Sequence, residues 1–145
     1  MITRIALAAV VAAFAATAVV AQSDPIAARK GIMKANGQSA GQGAKFMKGE
    51  ERFDLAKAQA IFASYQKAAG EFGKLFPDNS KSGDTAALPA VWDNKADFAA
   101  KLAKFGADAK DAAGKVKDEA TFKAVFPEVQ KNCGGCHGTY RKKAS

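Results

Sequence analysis

Both cysteines and the single histidine of this 145-residue chain lie within five consecutive positions near its C-terminus. The segment reads Cys133-Gly134-Gly135-Cys136-His137. A C-x-x-C-H sequence is typical of covalent c-type haem attachment, in which each thiol adds across one vinyl group and the histidine becomes the proximal iron ligand. On a helix, Cys133 and His137 project from the same face, one turn apart. We therefore expect one covalently attached haem c per chain.

Three other interpretations of the cysteine pair are weaker. A thioredoxin-like redox pair requires a βαβ setting, and no strand pattern flanks this motif. A structural zinc ion requires four ligands, whereas two cysteines and one histidine supply three. A disulfide between Cys133 and Cys136 is the third alternative, but it leaves the adjacent His137 without a role.

Residues 1–21 have the features of a secretory signal peptide. Arg4 gives a positive start, residues 5–20 are almost all apolar, and Ala21 ends a run of small residues suited to cleavage. This run is shorter than the roughly 20 residues that cross a bilayer, which favours cleavage over a membrane anchor. We expect residues 22–145 to form one domain, exported to the periplasm without stable membrane association. Export agrees with haem attachment, which takes place outside the bacterial cytoplasm.

The chain is basic, with a formal net charge of +8. Its lysines are spread along amphipathic segments without a nucleic-acid recognition motif, and export further argues against a nucleic-acid partner. The charges could simply solvate the outer faces of helices. They could also steer the protein towards an acidic redox partner, and the composition leaves both interpretations open.

Apolar residues recur at steps of three and four along residues 22–145, which predicts amphipathic helices and no strands. Short connections and the absence of an internal repeat favour an all-α fold, an antiparallel up-down-up-down four-helix bundle. Nine of the ten phenylalanines should pack in its core, since Phe14 falls in the signal. The predicted helices occupy residues 25–48, residues 55–76, the segment from Pro89 to a break at 114–118, and the segment from Asp118 into the haem motif.

Two features of these helices allow alternatives. The first helix contains Gly31, Gly37, Gly41 and Gly43, and each glycine costs up to about 1 kcal/mol relative to alanine in a helix interior. Either this helix frays in its middle, or the glycines leave room for a bulky group such as a haem. Pro127 lies inside the fourth helix, where we expect a kink or a break with the haem motif on the segment after it.

A second iron ligand should lie at the level of His137. In an antiparallel bundle, the C-terminal end of the fourth helix lies beside the N-terminal end of the first. No other histidine exists, and methionine is a known partner of histidine in c-type haems. Met33 and Met47 remain once Met1 leaves, and they stand roughly 21 Å apart along a helix. Met33 lies at the correct end, either as an iron ligand or as a residue that fills space over the haem.

Motifs that are together typical of one protein family are spread over nearly all of residues 22–145. They are Arg29 followed four positions later by Met33, Lys48-Gly49-Glu50, Phe53-Asp54, Phe76-Pro77, Val91-Trp92, Phe98, and Cys133 through Arg141. With these motifs the chain resembles the class II c-type cytochromes, the cytochrome c′ family. The resemblance implies a four-helix bundle with haem c near the C-terminus, and Met33 over the iron. It also implies that Arg29 and Arg141 lie near the haem propionates.

The resemblance further implies two types of function. High-spin members of the family leave the sixth iron position open and bind small gases such as nitric oxide, whereas low-spin members ligate a methionine from the first helix and carry electrons. The sequence Met-Lys-Ala-Asn-Gly at 33–37 and the segment 114–118 are more similar to the low-spin type.

We therefore expect a non-enzymatic, periplasmic one-electron carrier with His137 and Met33 as iron ligands and an acidic redox partner. The alternative is a five-coordinate protein that binds or buffers nitric oxide. Members of the family are often dimers through the first two helices, so a homodimer is an alternative to a monomer.

Overall fold

Four long helices form a bundle within residues 24–143, the part of the chain that the computed structural model describes. Helices α1 and α4 each pack against both α2 and α5, so the four close on one another around a common interior. A short helix, α3, precedes α4. Every helix of the described part is too short or too polar to span a membrane. The predicted signal peptide, residues 1–21, lies outside the described residues. The helices are α1 (Pro25–Lys48), α2 (Leu55–Phe72), α3 (Ala90–Asp93), α4 (Lys95–Lys115) and α5 (Glu119–Tyr140).

Aspartate side chains start three of these helices. Asp24 and Asp54 each accept a hydrogen bond from a backbone N–H of the first turn, at 2.8 and 2.9 Å. Asp118 and Thr121 form a reciprocal capping box at the start of α5. Such caps satisfy the N–H groups that the helix itself leaves without a partner. The first helix has the predicted bounds and continues as one helix through all four of its glycines.

The second and third helices differ from their predicted extents. The α-helical part of the second ends at Phe72 and is followed by a 3₁₀ turn, Gly73–Leu75. The third is divided into α3 and α4, because the backbone of Asn94 leaves the helical region with φ −121° and ψ 50°. The indole N–H of Trp92 donates to the Phe76 carbonyl at 3.0 Å, which ties α3 to the end of the preceding helical segment.

The predicted break at Pro127 is wrong, because α5 runs as one helix from Glu119 to Tyr140, whereas the alternative of a kink stays a prediction. A proline removes one backbone donor and crowds the preceding turn. Here the flanking side chains of Phe126 and Val129 are buried against neighbouring helices, and this packing holds both halves in one helix. The haem motif therefore lies on the same helix as its N-terminal cap.

The apolar core has two parts along the bundle. One part, the distal cluster, is built around Phe46, Phe62, Phe122 and Phe126. The other, the proximal cluster, contains Phe72, Val91, Trp92, Phe98, Leu102 and Tyr140, with Met33 and Cys136 packed against it. The prediction for the nine phenylalanines is confirmed: six are buried and the other three pack partly buried against these clusters.

Candidate functional site

A cavity of about 630 Å³ opens between the four long helices, at the end of the bundle where α1 begins and α5 ends. This volume falls in the range of roughly 300–1,000 Å³ that is typical of small-molecule and cofactor sites. Its walls are mainly apolar, with Phe72, Phe98, Leu102 and Phe105 among them. The cavity therefore suits a large and mostly apolar group that enters from one end of the bundle.

Helix α5 brings the three residues of the C-x-x-C-H motif to this cavity. Cys133, Cys136 and His137 all line it and are all half-buried. Burial raises the pKa of both thiols, so they remain protonated at neutral pH. Burial, and secondarily the nearby charge of Arg141, lowers the pKa of His137, which favours the neutral imidazole that can bind a metal. Two thiols and one imidazole thus lie on the wall that α5 supplies.

Helix α1 supplies a different wall of the same cavity and brings Met33 to it. Met47, on the same helix, instead packs against the distal cluster and does not line the cavity. The antiparallel arrangement therefore places Met33, and not Met47, in one cavity with His137. The sequence predicts this position of Met33, at the same end of the bundle as His137.

Arg29 is the buried charged group of the cavity, with 5% of its surface exposed. Its guanidinium donates to the Ser80 carbonyl at 3.0 Å, and to the hydroxyls of Ser80 and Thr85 at 3.4 Å each. It also lies over the rings of Phe76 and Trp92, 4.6 and 5.7 Å from their centroids. Burial lowers the pKa of this guanidinium. Among residues 24–143 no carboxylate forms an ion pair with it.

Arg141 also lines the cavity but is exposed, at the C-terminal end of α5. Its backbone forms an isolated antiparallel bridge with Ala87. The next residue, Lys142, donates its backbone N–H to the Ala86 carbonyl at 2.8 Å. These bonds hold the loop before α3 against the end of α5, beside the mouth of the cavity.

Three polar residues of the cavity were not predicted from the sequence. Tyr65 is buried, and its hydroxyl accepts a hydrogen bond from Gln130 Nε2 at 2.8 Å. Burial raises the pKa of Tyr65 to about 12. The Cys133 thiol donates to Gln130 Oε1 at 3.6 Å, so these three residues form one chain of contacts. Asn36 also lines the cavity, and its Oδ1 atom is buried with no hydrogen-bond partner among the described residues.

Asn36 and Gln130 could have been predicted from their spacing. Asn36 stands three positions after Met33, and Gln130 stands three positions before Cys133, so each shares a helix face with a residue of the predicted site. Tyr65 gave no such signal, because only the packing of α2 against α5 brings it to the site. The residues present fit a haem: apolar walls, two thiols and an imidazole on one helix, a methionine on another, and a buried guanidinium without a carboxylate.

Residues 24–141 match the family model described as cytochrome c′. The chain belongs to the cytochrome c′ family. It is 44% identical over 127 residues to a cytochrome c′ of Rhodopseudomonas palustris, covering 87% of each protein. It is 33% identical over 133 residues to cytochrome c-556 of the same organism, covering 88% of this chain and 89% of that protein. A cytochrome c-556 of Agrobacterium tumefaciens is 40% identical over 79% of this chain and 94% of its own length.

Solved structures agree with this assignment. The structure of Rhodopseudomonas palustris cytochrome c′ superposes with a TM-score of 0.82 at 43% identity, over 86% of this chain and all of that one. An NMR-validated structural model of oxidized cytochrome c556 from the same organism gives 0.78 at 31% identity, over 86% of this chain and all of that one. A cytochrome c′ carries covalently attached haem c, so this chain is a c-type cytochrome, an electron carrier or a ligand-binding protein.

Proposed function

We propose that this cytochrome is a periplasmic one-electron carrier in which His137 and Met33 would bind the haem iron. The observation that carries the proposal is that α5 and α1 bring these two side chains to one cavity, whereas Met47 packs elsewhere. A His/Met pair is an established ligand set of electron-carrying c-type haems. The haem, when bound, supplies the one-electron iron couple, and the chain binds, orients and buries it.

Cys133 and Cys136 are the residues that would tether the haem through thioether bonds. Both thiols are half-buried on the cavity wall, one helical turn or less from His137. Because both cysteines and His137 lie on α5, one helix would hold the two thioether bonds and the iron ligand. The apolar walls exclude water from most of the site, which limits how much the surroundings must rearrange when charge moves.

Arg29 and Arg141 would compensate the charge of the haem propionates. The support is strongest for Arg29, because a buried guanidinium without a carboxylate partner calls for a negative charge nearby. Its hydrogen bonds to Ser80 and Thr85 hold it at the cavity from the loop side. Arg141 stands exposed at the cavity mouth, where a propionate could meet both it and solvent.

A redox partner with an acidic surface would dock at the C-terminal end of α5. Lys142 and Lys143 are exposed there, and no carboxylate of residues 24–143 forms an ion pair with them. The lysines of the groove between α4 and α5 differ, because they pair with acids on the same helix. These pairs are Lys101–Asp97, Lys104–Asp108, Lys115–Asp111 and Lys131–Glu128. Uncompensated charge beside the cavity mouth would speed association with an acidic partner.

Two further parts of the proposal rest on the sequence. Residues 1–21 would direct export and be cleaved, which places the protein in the periplasm. The protein would not be an enzyme, because its only histidine is engaged as an iron ligand and both cysteines are engaged as tethers.

The test is the absorption spectrum of the ferric holoprotein. We expect a low-spin spectrum with a sulfur-to-iron charge-transfer band, and its loss in Met33→Ala. Met47→Ala is the matched control, since it truncates a methionine of the same helix outside the cavity and should leave the band unchanged. A high-spin spectrum that Met33→Ala barely alters would contradict the proposal. A negative pyridine haemochrome test for haem c would contradict covalent attachment itself.

A second candidate function is a five-coordinate haem protein that binds or buffers nitric oxide. The observation in its favour is that the chain is more similar to the cytochrome c′ of Rhodopseudomonas palustris than to its cytochrome c-556, at 44% against 33% identity. The same ferric spectrum separates the two candidates, because only the five-coordinate protein is high-spin without added ligand.

A further inference from the structure

Asn36 is a cavity residue for which neither the packing nor the proposed ligand set gives a role. Its Oδ1 atom is buried and has no hydrogen-bond partner among the described residues. Buried side-chain polar atoms nearly always have a partner, because leaving one unpaired forfeits its interaction with water. An amide kept in a mostly apolar cavity therefore calls for a partner that belongs to the site.

The position of Asn36 on α1 indicates that partner. Asn36 and Met33 both line the cavity and stand three residues apart, so they are neighbours on one helix face with Cβ atoms roughly 5–6 Å apart. Side chains on a helix lean towards its N-terminus, which tilts the Asn36 carboxamide over the turn that carries Met33. The oxygen and nitrogen of an amide exchange places on a half-turn, so an N–H group can occupy the buried position.

Other polar side chains of the cavity already have partners of their own. Gln130 donates to the Tyr65 hydroxyl, and Arg29, two turns before Asn36, donates to Ser80 and Thr85 in the loop. The thioether sulfur of Met33 is a weak acceptor within one turn of the carboxamide.

We propose that Asn36 is a positioning residue for Met33: its carboxamide N–H donates to the thioether sulfur and holds that sulfur towards the iron. The hydrogen bond restricts the rotation of an otherwise flexible side chain, so less conformational freedom is lost when the sulfur binds. This inference rests on the proposed ligation by Met33.

The experiment measures how well an added ligand displaces Met33. Imidazole competes with the sulfur for the iron of the ferric holoprotein, and its affinity is obtained by spectroscopic titration. Asn36→Leu keeps the approximate size of the side chain but removes the donor, so imidazole should bind about three- to tenfold more tightly, the usual effect of losing one net hydrogen bond. Gln38→Leu, an exposed position on the same helix, is the control and should leave the affinity unchanged.

A double-mutant cycle with Met33→Leu shows whether the effect passes through the sulfur. Without the methionine, Asn36→Leu should no longer change the affinity for imidazole. If the full effect persists in that background, the carboxamide acts on the added ligand itself and the inference is overturned. Asn36→Ala provides a second donor-free variant if the leucine disturbs assembly of the holoprotein.

The outcomes separate this inference from the proposed function. If the unaltered protein is low-spin with its charge-transfer band, but both Asn36 variants bind imidazole as it does, only the role of Asn36 fails. If the unaltered protein is high-spin, ligation by Met33 fails and the role of Asn36 fails with it. A shift of the charge-transfer band in Asn36→Leu, with the low-spin state retained, would be the spectroscopic signature of a less constrained sulfur.

Discussion

Gly43 of α1 lies against Phe126 of α5 so closely that a Cβ atom at position 43 would be 2.2 Å from Cζ of the ring. The ring cannot easily withdraw, because it stacks on Phe122 at a centroid distance of 4.9 Å and contacts Phe62 at 6.5 Å. The space left by this glycine is therefore filled by a phenylalanine of the distal cluster. Gly43 sets how closely α1 and α5 approach at the end of the bundle away from the cavity.

We predict that Gly43→Ala lowers the free energy of unfolding by about 1–3 kcal/mol, the usual cost of overpacking a core. The loss should exceed the gain of up to about 1 kcal/mol that alanine brings in a helix interior. Chemical denaturation of the holoprotein, followed by helical circular dichroism, measures the change.

Gly41→Ala is the matched control for this prediction. It lies on the same helix, and a Cβ atom there would meet nothing within 4 Å. Alanine at this position should raise the free energy of unfolding by about 0.5–1 kcal/mol through helix propensity alone. If both variants gained stability equally, close contact with Phe126 would not explain why position 43 is glycine.

The features that the sequence predicts well are those set by residues close together in the chain. The haem motif occupies five consecutive positions, and the caps at Asp24 and Asp54 act on N–H groups of the next turn. The placement of Met33 in one cavity with His137 needed one further step, the antiparallel order of a four-helix bundle. Each of these follows from local chemistry or from a fold with few alternatives.

The features that the sequence does not predict depend on contacts between distant segments. The third helix is divided at Asn94, two residues after Trp92, whose indole bonds the Phe76 carbonyl; helix periodicity does not reveal such a contact. The continuity of α5 through Pro127 likewise depends on packing of the side chains around it. The glycines of α1 are a third case. The sequence does not show which bulky group they accommodate, and at Gly43 that group is the ring of Phe126.

Arg29 should hold the loop before α3 over the cavity, and its substitution should release that loop. Arg29→Lys keeps the charge but loses the planar fork that reaches both Ser80 and Thr85. We predict a loss of about 1.5–3 kcal/mol in the free energy of unfolding, the range for hydrogen bonds to charged groups. Backbone amides of residues 80–87 should also exchange with deuterium faster, which hydrogen-exchange mass spectrometry detects.

Lys30→Gln is the control for the loop. Lys30 forms an exposed ion pair with Asp84 in the same loop, and exposed pairs contribute about 1 kcal/mol or less. It should change both the unfolding free energy and the exchange rates less than Arg29→Lys does. Equal effects from the two variants would mean that the buried hydrogen bonds of Arg29 hold the loop no more strongly than the exposed ion pair does.

Tyr65 should make the stability of the protein depend on pH in the alkaline range. Burial raises the pKa of its hydroxyl from an ordinary value of 10.0 to about 12 in the folded chain. The folded state therefore holds this proton more tightly than the unfolded state does. The stabilisation is complete below pH 10 and is lost as the pH rises towards 12, with a slope of about 1.4 kcal/mol per pH unit for one proton.

Tyr65→Phe removes this titration, so its free energy of unfolding should fall less steeply than that of the unaltered protein between pH 10 and 11.5. At neutral pH the variant should be less stable by about 1–3 kcal/mol, because Gln130 Nε2 loses its acceptor inside the bundle. Tyr140, whose hydrogen bond to Asp97 also raises its pKa to about 12, titrates in both proteins and cancels in the comparison. Denaturant titrations at several pH values supply both quantities. If the unfolding free energies of the two proteins changed with pH in parallel, the pKa of Tyr65 would not be raised in the folded chain and the prediction would be wrong.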